Sequence, residues 1–349
     1  MKAESSSTAP TSSASSSVFE RFIEDRRDVP FVRLSILLTV LFWPSAIWLM
    51  LPGRFHWIHA VVHVALYVWF LGPFTLMLHN TSHRRLYKKR FAFMNQYIPW
   101  FLGPLFGQSP HTYSAHHVGM HHAENNLADD LSTTLPYQRD NVLHFFHYLG
   151  TFLLTVAIQL PRYFWRHGRM PWFKKALGGE VILWAFAITL VVVIGWRGPT
   201  VAFIIPFAVT RMAMMAGNWA QHAFVSQEKP ENPYTNSITC INCTYNERCF
   251  NDGYHIGHHV MAARHWTEMP ADFEKNKKRY AKEGAIVFEG IDFFIIWALL
   301  MIKNYDKLAK HFVELNDEPR SHEEIVALLK SRTQRFEVVP KAAAVPKAA

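Results

Sequence analysis

The stretch that decides the fold is WIHAVVHVALYVWFLGPFTLML (57–78), which runs without a break into HNTSH (79–83). As a helix, the first part is long enough to cross a hydrocarbon core about 30 Å thick. The second part places His79 and His83 four residues apart, so both imidazoles project from one helical face just past the apolar run. This stretch therefore predicts a transmembrane helix that ends in a pair of metal ligands.

Three other apolar runs are long enough to span a membrane, at about residues 32–52, 181–197 and 200–219. The short RGP sequence (197–199) at the junction of the last two runs predicts a tight hairpin. Half of the 349 residues are apolar and only 18% are charged, below the usual share of about 25%, which excludes a disordered chain. Three cysteines are too few for a disulfide framework.

The basic residues predict which side of the membrane each loop occupies. Basic clusters lie at 84–90, after the second span, and at 162–175, before the third. The positive-inside rule places both clusters, and both ends of the chain, in the cytoplasm. The apolar segment 145–160 then begins and ends on one side, which predicts an interfacial or re-entrant helix. Segment 292–302 is too short to cross and is predicted to lie against the membrane or the cytoplasmic part of the protein.

Histidine is the anomalous residue in the composition, with 20 copies, most of them clustered. Besides HNTSH, the clusters are HTYSAHHVGMHHAENN (111–126), GNWAQHAF (217–224) and FNDGYHIGHH (250–259). They contain the spacings HxxxHH, NxxxH and HxxHH, which are typical of metal ligands on helices. The topology was derived from basic residues alone, and it puts all four clusters on the cytoplasmic side.

Nine clustered histidines exceed the capacity of one six-coordinate ion, so two metal ions are predicted to share them. Imidazole is a ligand for Fe, Zn, Cu and Ni. The motifs ExxH, HExxH, GxxxxGK and GxGxxG are absent, which excludes di-metal carboxylate, zincin, nucleotide-phosphate and Rossmann chemistry. A redox metal beside bilayer hydrocarbon favours oxygen activation, because acids, bases and nucleophiles do not react with unactivated C–H bonds.

The predicted fold is an all-α integral membrane protein with four transmembrane helices in two hairpins, interfacial helices and a cytoplasmic histidine-rich di-metal domain. Residues 1–18 are predicted to be a disordered Ser/Thr/Ala-rich tail, and 19–310 the membrane domain. Residues 311–349 are predicted to form a C-terminal helix and a loose tail. No apolar core follows Lys2, so a signal peptide is not expected. The membrane is expected to be the endoplasmic reticulum or the bacterial inner membrane.

The histidine motifs, in this order around two helical hairpins, resemble those of the membrane fatty acid desaturase superfamily, which also contains acyl-chain hydroxylases and related oxidases. The similarity covers about residues 31–271, and FNDGYHIGHHVMAARHWTEMP (250–270) is especially similar to the acyl-lipid desaturase branch. The resemblance implies two non-haem iron ions and O2 as co-substrate. The implied iron ligands are His79, His83, His117, His121, His122, His222, His255, His258 and His259.

The resemblance also implies partners and one further metal-site residue. Asn218 resembles an asparagine that some members add, which binds metal through water. The substrate would be a fatty acyl chain carried as a free acid, a thioester or a lipid. No HPGG haem-binding segment occurs, so a separate electron donor is implied, of the ferredoxin, rubredoxin or cytochrome b5 type with its reductase. Membrane lipids are expected partners and nucleic acid is not. No catalytic residue is predicted beyond the metal ligands.

Desaturation of the acyl chain is the leading functional hypothesis. A hydroxylase, or an oxidative decarboxylase that gives a terminal alkene, stays open, because the histidine motifs build the oxidant and not the geometry that decides its product. A metal transporter or sensor is the third hypothesis. It is less favoured because transport sites lie near the bilayer midplane on broken helices, whereas these clusters lie just past helix ends.

The remaining polar residues have secondary or structural interpretations. Acidic and amide side chains near the clusters are predicted to orient the ligand imidazoles: Glu124, Asn125, Asp129, Asp130 and Asp252. His56, His59 and His63 begin the second span, about 24 Å from its other end, so they are predicted to serve helix packing. The residues predicted to be supporting or surface histidines, or free thiols, are His111, His116, His265, Cys240, Cys243 and Cys249.

Overall fold

The computed structural model describes residues 18–337. Its α-helices are α1 (Val29–Met50), α2 (Trp57–His83), α3 (Thr112–His116), α4 (His122–Glu124), α5 (Val142–Arg166), α6 (Met170–Ile194), α7 (Arg197–Pro199), α8 (Ile205–Gln221), α9 (Pro233–Asn236), α10 (Thr244–Arg248), α11 (His255–Val260), α12 (Met269–Glu283), α13 (Phe293–Met301), α14 (Tyr305–Lys310) and α15 (His322–Arg332). The 3₁₀ segments are Val18–Arg21, Arg26–Asp28, Lys89–Gln96, Pro104–Phe106 and Trp266–Glu268. The π-helical segments are Ile98–Leu102, His117–His121 and Thr200–Ile204. The strands are β1 (Ile238–Ile241) and β2 (Ile286–Glu289).

Five helical stretches of the described residues are long and apolar enough to cross a membrane: Arg26–Met50, Trp57–His83, Val142–Arg166, Met170–Ile194 and Arg197–Gln221. Four of them contain most of the four predicted spans. Helix α6 begins at Met170, well before the predicted start at residue 181. Lys174 and Lys175 do not end it, because their apolar stems let the ammonium groups reach out toward polar surroundings.

Helix α5 is the fifth stretch and contains the segment 145–160 that was predicted to be interfacial. The count of four transmembrane helices is therefore not confirmed. Tyr148, near the beginning of α5, donates a hydrogen bond to the carbonyl of Ser132 (3.2 Å), and Tyr163, near its end, donates to Glu124. Both ends of the helix thus contact the same polar loop, as a helix lying along that loop would do. The interfacial orientation stays a prediction.

The prediction of an all-α fold holds for most of the chain but is wrong at β1 and β2. These two strands pair in parallel, with Ile238 opposite Ile286 and Ile241 opposite Glu289. Their sequences, ITCI and IVFE, are short and rich in β-branched residues, which fit a buried strand better than a helix. The sheet lies beside the histidine-bearing segment α11 and helps to position it.

Aromatic packing fixes α2, which carries the first pair of histidines. Phe42 of α1 and Phe74 of α2 both pack against Phe106, with ring centroids 5.0 and 4.2 Å apart. All three rings are buried. In contrast, outward residues such as Val192 of α6 and Leu154 of α5 are largely exposed. An apolar surface of this kind on long apolar helices indicates contact with lipid.

The predicted terminal regions lie partly outside the described residues. Residues 1–17 and 338–349 are outside the described range, so the predicted N-terminal tail and most of the loose C-terminal tail fall outside it. The predicted C-terminal helix corresponds to α15, which begins with a capping box formed by Ser321 and Glu324. The division into a membrane domain and a C-terminal region stays a prediction.

Neighbouring glycines on α6 make a matched test of its packing. A Cβ on Gly179 would lie 2.1 Å from the carbonyl oxygen of Pro110, whereas a Cβ on Gly178 would have no atom within 4 Å. We therefore expect Gly179→Ala to lower the unfolding temperature of the detergent-purified protein by several degrees, since the backbone must move. Gly178→Ala should leave it unchanged or raise it slightly, since alanine favours helix. Equal unfolding temperatures in the two variants would contradict this packing.

Candidate metal centre

Four segments bring the clustered histidines together. Helix α2 has 27 residues and is about 40 Å long, which exceeds a hydrocarbon core of about 30 Å by roughly two turns. His79 and His83 lie in those last turns. His222 directly follows α8, and α11 carries the HxxHH motif. The remaining histidines come from the π-helical turn after α3 and from the first residue of α4.

The HxxxHH motif lies on the π-helical turn His117–His121. A π-turn closes after one residue more than an α-turn, so residues five apart come close on one face. The Nε2 atoms of His117 and His122 are accordingly 3.1 Å apart, while His121 points to a second group of ligands. The π-turn thus divides one motif between two sites.

The first histidine group contains His79, His83, His117 and His258, whose ligand nitrogens all lie within 4.8 Å of one another. His122 joins this group, with its Nε2 2.8 Å from Nε2 of His258. Nε2 of His79 lies 3.0 Å from the same atom. These ring nitrogens converge on one point from α2, α4, α11 and the π-turn.

The second group contains His121, His222 and His259, again with ligand nitrogens within 4.8 Å. His255 joins it, with Nε2 3.1 Å from Nε2 of His259. Residues 255 and 259 are one helical turn apart, whereas His258 faces the first group, so the HxxHH motif also serves both groups. All nine histidines that the resemblance implied as ligands therefore lie in the two groups.

The ring nitrogens of the two groups are suited to binding two metal cations. Within residues 18–337, Nε2 of His83 and Nε2 of His222 are buried and have no hydrogen-bond partner. A buried nitrogen without a partner is costly unless it binds something. Burial lowers the pKa of His117, His258 and His259 well below the ordinary value, so these imidazoles are neutral. Neutral imidazole is the form that binds metal.

Asp130 orients one ligand of the second group. Its Oδ2 lies 2.7 Å from Nδ1 of His121, and both side chains are buried. The carboxylate also accepts hydrogen bonds from the backbone and hydroxyl of Ser132. Burial alone would raise the pKa of Asp130, but His121 and these hydrogen bonds hold it well below its usual range. An ionised Asp130 fixes the ring so that its other nitrogen faces the group.

Asn236 orients a second ligand, and the sequence did not identify it. Nδ1 of His222 lies 2.8 Å from the amide oxygen of Asn236 and 2.9 Å from its carbonyl oxygen. Asn236 ends α9, just before β1, and its own amide donates to the carbonyl of Asn125 (3.0 Å). No spacing motif links Asn236 to His222, because the contact depends on how the strand pair folds back on α8.

Asp252 lies beside the first group. Its Oδ1 is 3.6 Å from Nδ1 of His79, and its Oδ2 accepts a hydrogen bond from the Tyr245 hydroxyl (2.8 Å). Burial raises the pKa of Asp252 to about 7, although the Tyr245 bond opposes this shift. Asp130 and Asp252 are thus the two predicted orienting carboxylates that lie next to ligand rings.

The other predicted supporting residues have different contacts. Asn218 donates hydrogen bonds to the Tyr148 hydroxyl (2.7 Å) and to the carbonyl of Ser132, at the edge of the second group. Glu124 accepts a hydrogen bond from Tyr163, and the amide of Asn125 donates to the carbonyl of Glu231. Asp129 makes no side-chain hydrogen bond to a histidine in the described part of the chain. Within residues 18–337, the side chains of Glu124 and Asn125 form no hydrogen bond with a ligand ring.

Histidines outside the two groups have packing roles. The Ser45 hydroxyl lies 2.8 Å from both Nε2 of His59 and Nδ1 of His63, at the far end of α2. His265 is buried against Asp28, with 3.0 Å between Nε2 and Oδ1. The Trp100 indole donates to His111 (2.9 Å). The three cysteines, Cys240, Cys243 and Cys249, are buried and free of disulfides.

A cavity of about 370 Å³ ends on the histidine groups. Its walls come from α2, including Leu71 and Thr75, and from α8, including Val209 and Ala213. The histidines that line it are His79, His116, His117, His121 and His255. A larger cavity of about 610 Å³ lies between α1 and residues 87–101 and has no histidine in its lining. Only the smaller cavity combines an apolar wall with the candidate metal ligands.

Five long apolar helices and two histidine groups that could each hold a metal ion indicate a membrane protein with a candidate metal site. The family model of fatty acid desaturases matches residues 55–290, more than half of the chain. The chain therefore belongs to the fatty acid desaturase family, and the predicted resemblance is confirmed. The matched range contains all nine clustered histidines. Among curated proteins and solved structures, none matches the chain.

Removing one ligand from each group tests the two-site arrangement. We expect His258→Ala and His259→Ala each to lower the metal content of iron-reconstituted protein from about two ions per chain to about one, because each removes a donor from a different group. His59→Ala should keep about two ions, since His59 lies at the opposite end of α2. Metal content per chain is measured by elemental mass spectrometry of acid-digested protein. An equal loss in His59→Ala would contradict the assignment.

Asn236 gives a sharper test, since no motif predicts it. We expect Asn236→Ala to weaken iron binding about 10- to 100-fold, because His222 loses the partner that orients its ring. The affinity is measured by competition with a chromogenic iron chelator. Asn276→Ala is the control and should bind iron normally, because the Asn276 amide donates its hydrogen bonds to Asp272 within α12. Unchanged affinity in Asn236→Ala would show that His222 does not need this partner.

Proposed function

We propose that this chain is an O2-dependent di-iron oxidase that introduces a double bond into a fatty acyl chain. The observation that carries the proposal is the cavity with apolar walls that ends on both histidine groups. Membership of the fatty acid desaturase family supports an acyl substrate and an oxidoreductase activity. Of the cavities found within residues 18–337, this one combines an apolar wall with candidate metal ligands, whereas the linings of two others contain no histidine.

The residues of the centre have distinct roles in this proposal. His79, His83, His117, His122 and His258 would hold one iron, and His121, His222, His255 and His259 the other. Bound iron supplies the O2-dependent oxidation that unactivated C–H bonds require. Asp130 and Asn236 keep the rings of His121 and His222 in place by hydrogen bonds to Nδ1. Asn218, at the edge of the second group, would bind through water.

The cavity walls would position the substrate. Val68 and Thr75 of α2 lie about 16 and 6 Å along the helix axis from His79. An acyl chain bound along this wall would place its methylene groups beside the histidines while excluding water. Val68 and Phe294 both line the cavity and are partly exposed, which supports lateral entry of an acyl chain from the bilayer.

The cellular arrangement follows from the charge pattern. We infer that the centre and both ends of the chain face the cytoplasm, because the basic segments 84–90 and 275–282 flank the histidine-bearing side. A cytoplasmic centre would receive electrons from a separate soluble or membrane-bound carrier.

The proposed reaction is tested by the products of cells that express the chain with an electron donor and receive deuterated palmitate or stearate. We expect a labelled monoene with an internal double bond, and no such product from His258→Ala, which should still insert into the membrane. A labelled alcohol or a shortened terminal alkene would overturn desaturation in favour of hydroxylation or decarboxylation at the same centre. Product from His258→Ala would overturn the ligand assignment.

Filling the cavity tests the substrate site separately from the metal site. We expect Ala213→Trp to reduce product at least tenfold while the iron content stays at the wild-type level, because the indole occupies space that the acyl chain needs. Val192→Trp is the control, since residue 192 is 78% exposed on the outer face of α6. Full product formation by Ala213→Trp would show that the substrate does not bind in this cavity.

A further inference from the structure

Helix α2 contains a backbone carbonyl that the helix itself cannot satisfy. Pro73 lies inside α2 and has no N–H, so the carbonyl oxygen of Trp69, four residues earlier, lacks its intrahelical donor. Trp69 is 60% exposed on a helix that belongs among lipids. Within a bilayer an unsatisfied carbonyl is costly, so a proline inside a membrane helix is found where another group supplies the missing donor.

Arg248 supplies that donor from a distant part of the sequence. Its Nη2 donates a hydrogen bond of 2.8 Å to the Trp69 carbonyl. Its guanidinium carbon lies 3.9 Å from the centroid of the Trp69 ring, in a cation–π contact. Arginine can make both contacts at once because its guanidinium is planar and carries five N–H donors.

The segment that carries Arg248 also packs on α2 directly beside Pro73. Cys249 follows Arg248, and its Sγ would lie only 2.9 Å from a Cβ on Gly72, so glycine is needed beside Pro73. Within the same segment, Asn246 accepts a hydrogen bond from the backbone N–H of Gly253 (2.8 Å). The segment 245–253 therefore folds back on itself, and its middle contacts α2 through Arg248 and Cys249.

The same segment leads directly into the histidines of α11. Tyr245 donates to Asp252, and Asp252 lies beside His79 of α2. His255, the first ligand on α11, comes three residues after Asp252. The break at Pro73 and the end of α2 are thus both in contact with the segment that sets the position of α11.

We propose that Arg248 is a positioning residue: by binding the Trp69 carbonyl left free by Pro73, it holds α11 in register with α2, so that the ligands of both elements face each other. Its effect on turnover rests on the proposed function, whereas its effect on metal retention does not. The Trp69 carbonyl, which lacks its helical donor because of Pro73, is then the docking point for Arg248 on α2.

A double-mutant cycle tests this assignment. R248M removes the donor and keeps an apolar stem, and P73A returns an N–H that can bind the Trp69 carbonyl within the helix. The measurement is the rate at which iron-loaded protein in detergent releases iron to a chelator. We expect R248M to release iron about tenfold faster than wild type, and P73A/R248M no more than twofold faster than P73A. R248K should lie between wild type and R248M, because lysine keeps a donor without the planar stack.

Controls separate positioning from general destabilisation. R197M removes a second arginine that contacts aromatic rings, at the far end of the spans, and should release iron at the wild-type rate. If R248M does not fold, P73A/R248M should recover a monodisperse protein. In product assays, R248M should lower kcat and leave KM unchanged, since the cavity stays open.

The outcomes distinguish the two proposals. The same acceleration by R248M in both backgrounds would overturn the role of the Trp69 carbonyl, and no acceleration in either would overturn positioning by Arg248. If wild-type protein makes no oxidised acyl product but the iron-release ratios are as expected, the proposed function fails and the positioning role stands.

Discussion

The rest of the structure depends on keeping nine imidazoles together, most of them buried, where α2 and α8 end. Each ring has two nitrogens, and in a low-dielectric interior neither can be left without a partner at low cost. Asp130 and Asn236 satisfy Nδ1 of His121 and His222 and so turn Nε2 inward. What remains is a set of inward-facing nitrogens that calls for cations, and this is the physical basis for a metal centre here.

Features that look peripheral in the sequence serve this constraint. The π-turn at His117–His121 sends neighbouring histidines to different groups. The two-stranded sheet brings Asn236 back to α8, and Arg248 ties the segment before α11 to the break in α2. The sheet and Arg248 contribute no ligand themselves, yet they and the π-turn all limit where the ligands can lie.

The membrane-facing part of the fold places an apolar cavity wall beside these histidines. Helices α2 and α8 supply one continuous wall, apolar along the spans and rich in histidine at the end. A chain held along that wall would meet the centre without meeting bulk water. Binding and oxidation would then depend on the position of α2, which is fixed by the packing of Phe74 and of Phe42 of α1 against Phe106.

The sequence by itself determined the membrane character, the approximate positions of four of the five long apolar helices, all nine clustered histidines and the family, because hydropathy and i,i+4 spacing are local properties of the chain. It did not reveal the strand pair, the length of α5, Asn236 or the Arg248 contact. Only the tertiary structure decided how HxxxHH and HxxHH divide between two groups, and which of the five acidic and amide candidates orient a ring. Those outcomes depend on contacts such as His222 with Asn236 and Trp69 with Arg248. These residues come together only when distant segments of the chain pack, so no local sequence pattern predicts the contacts.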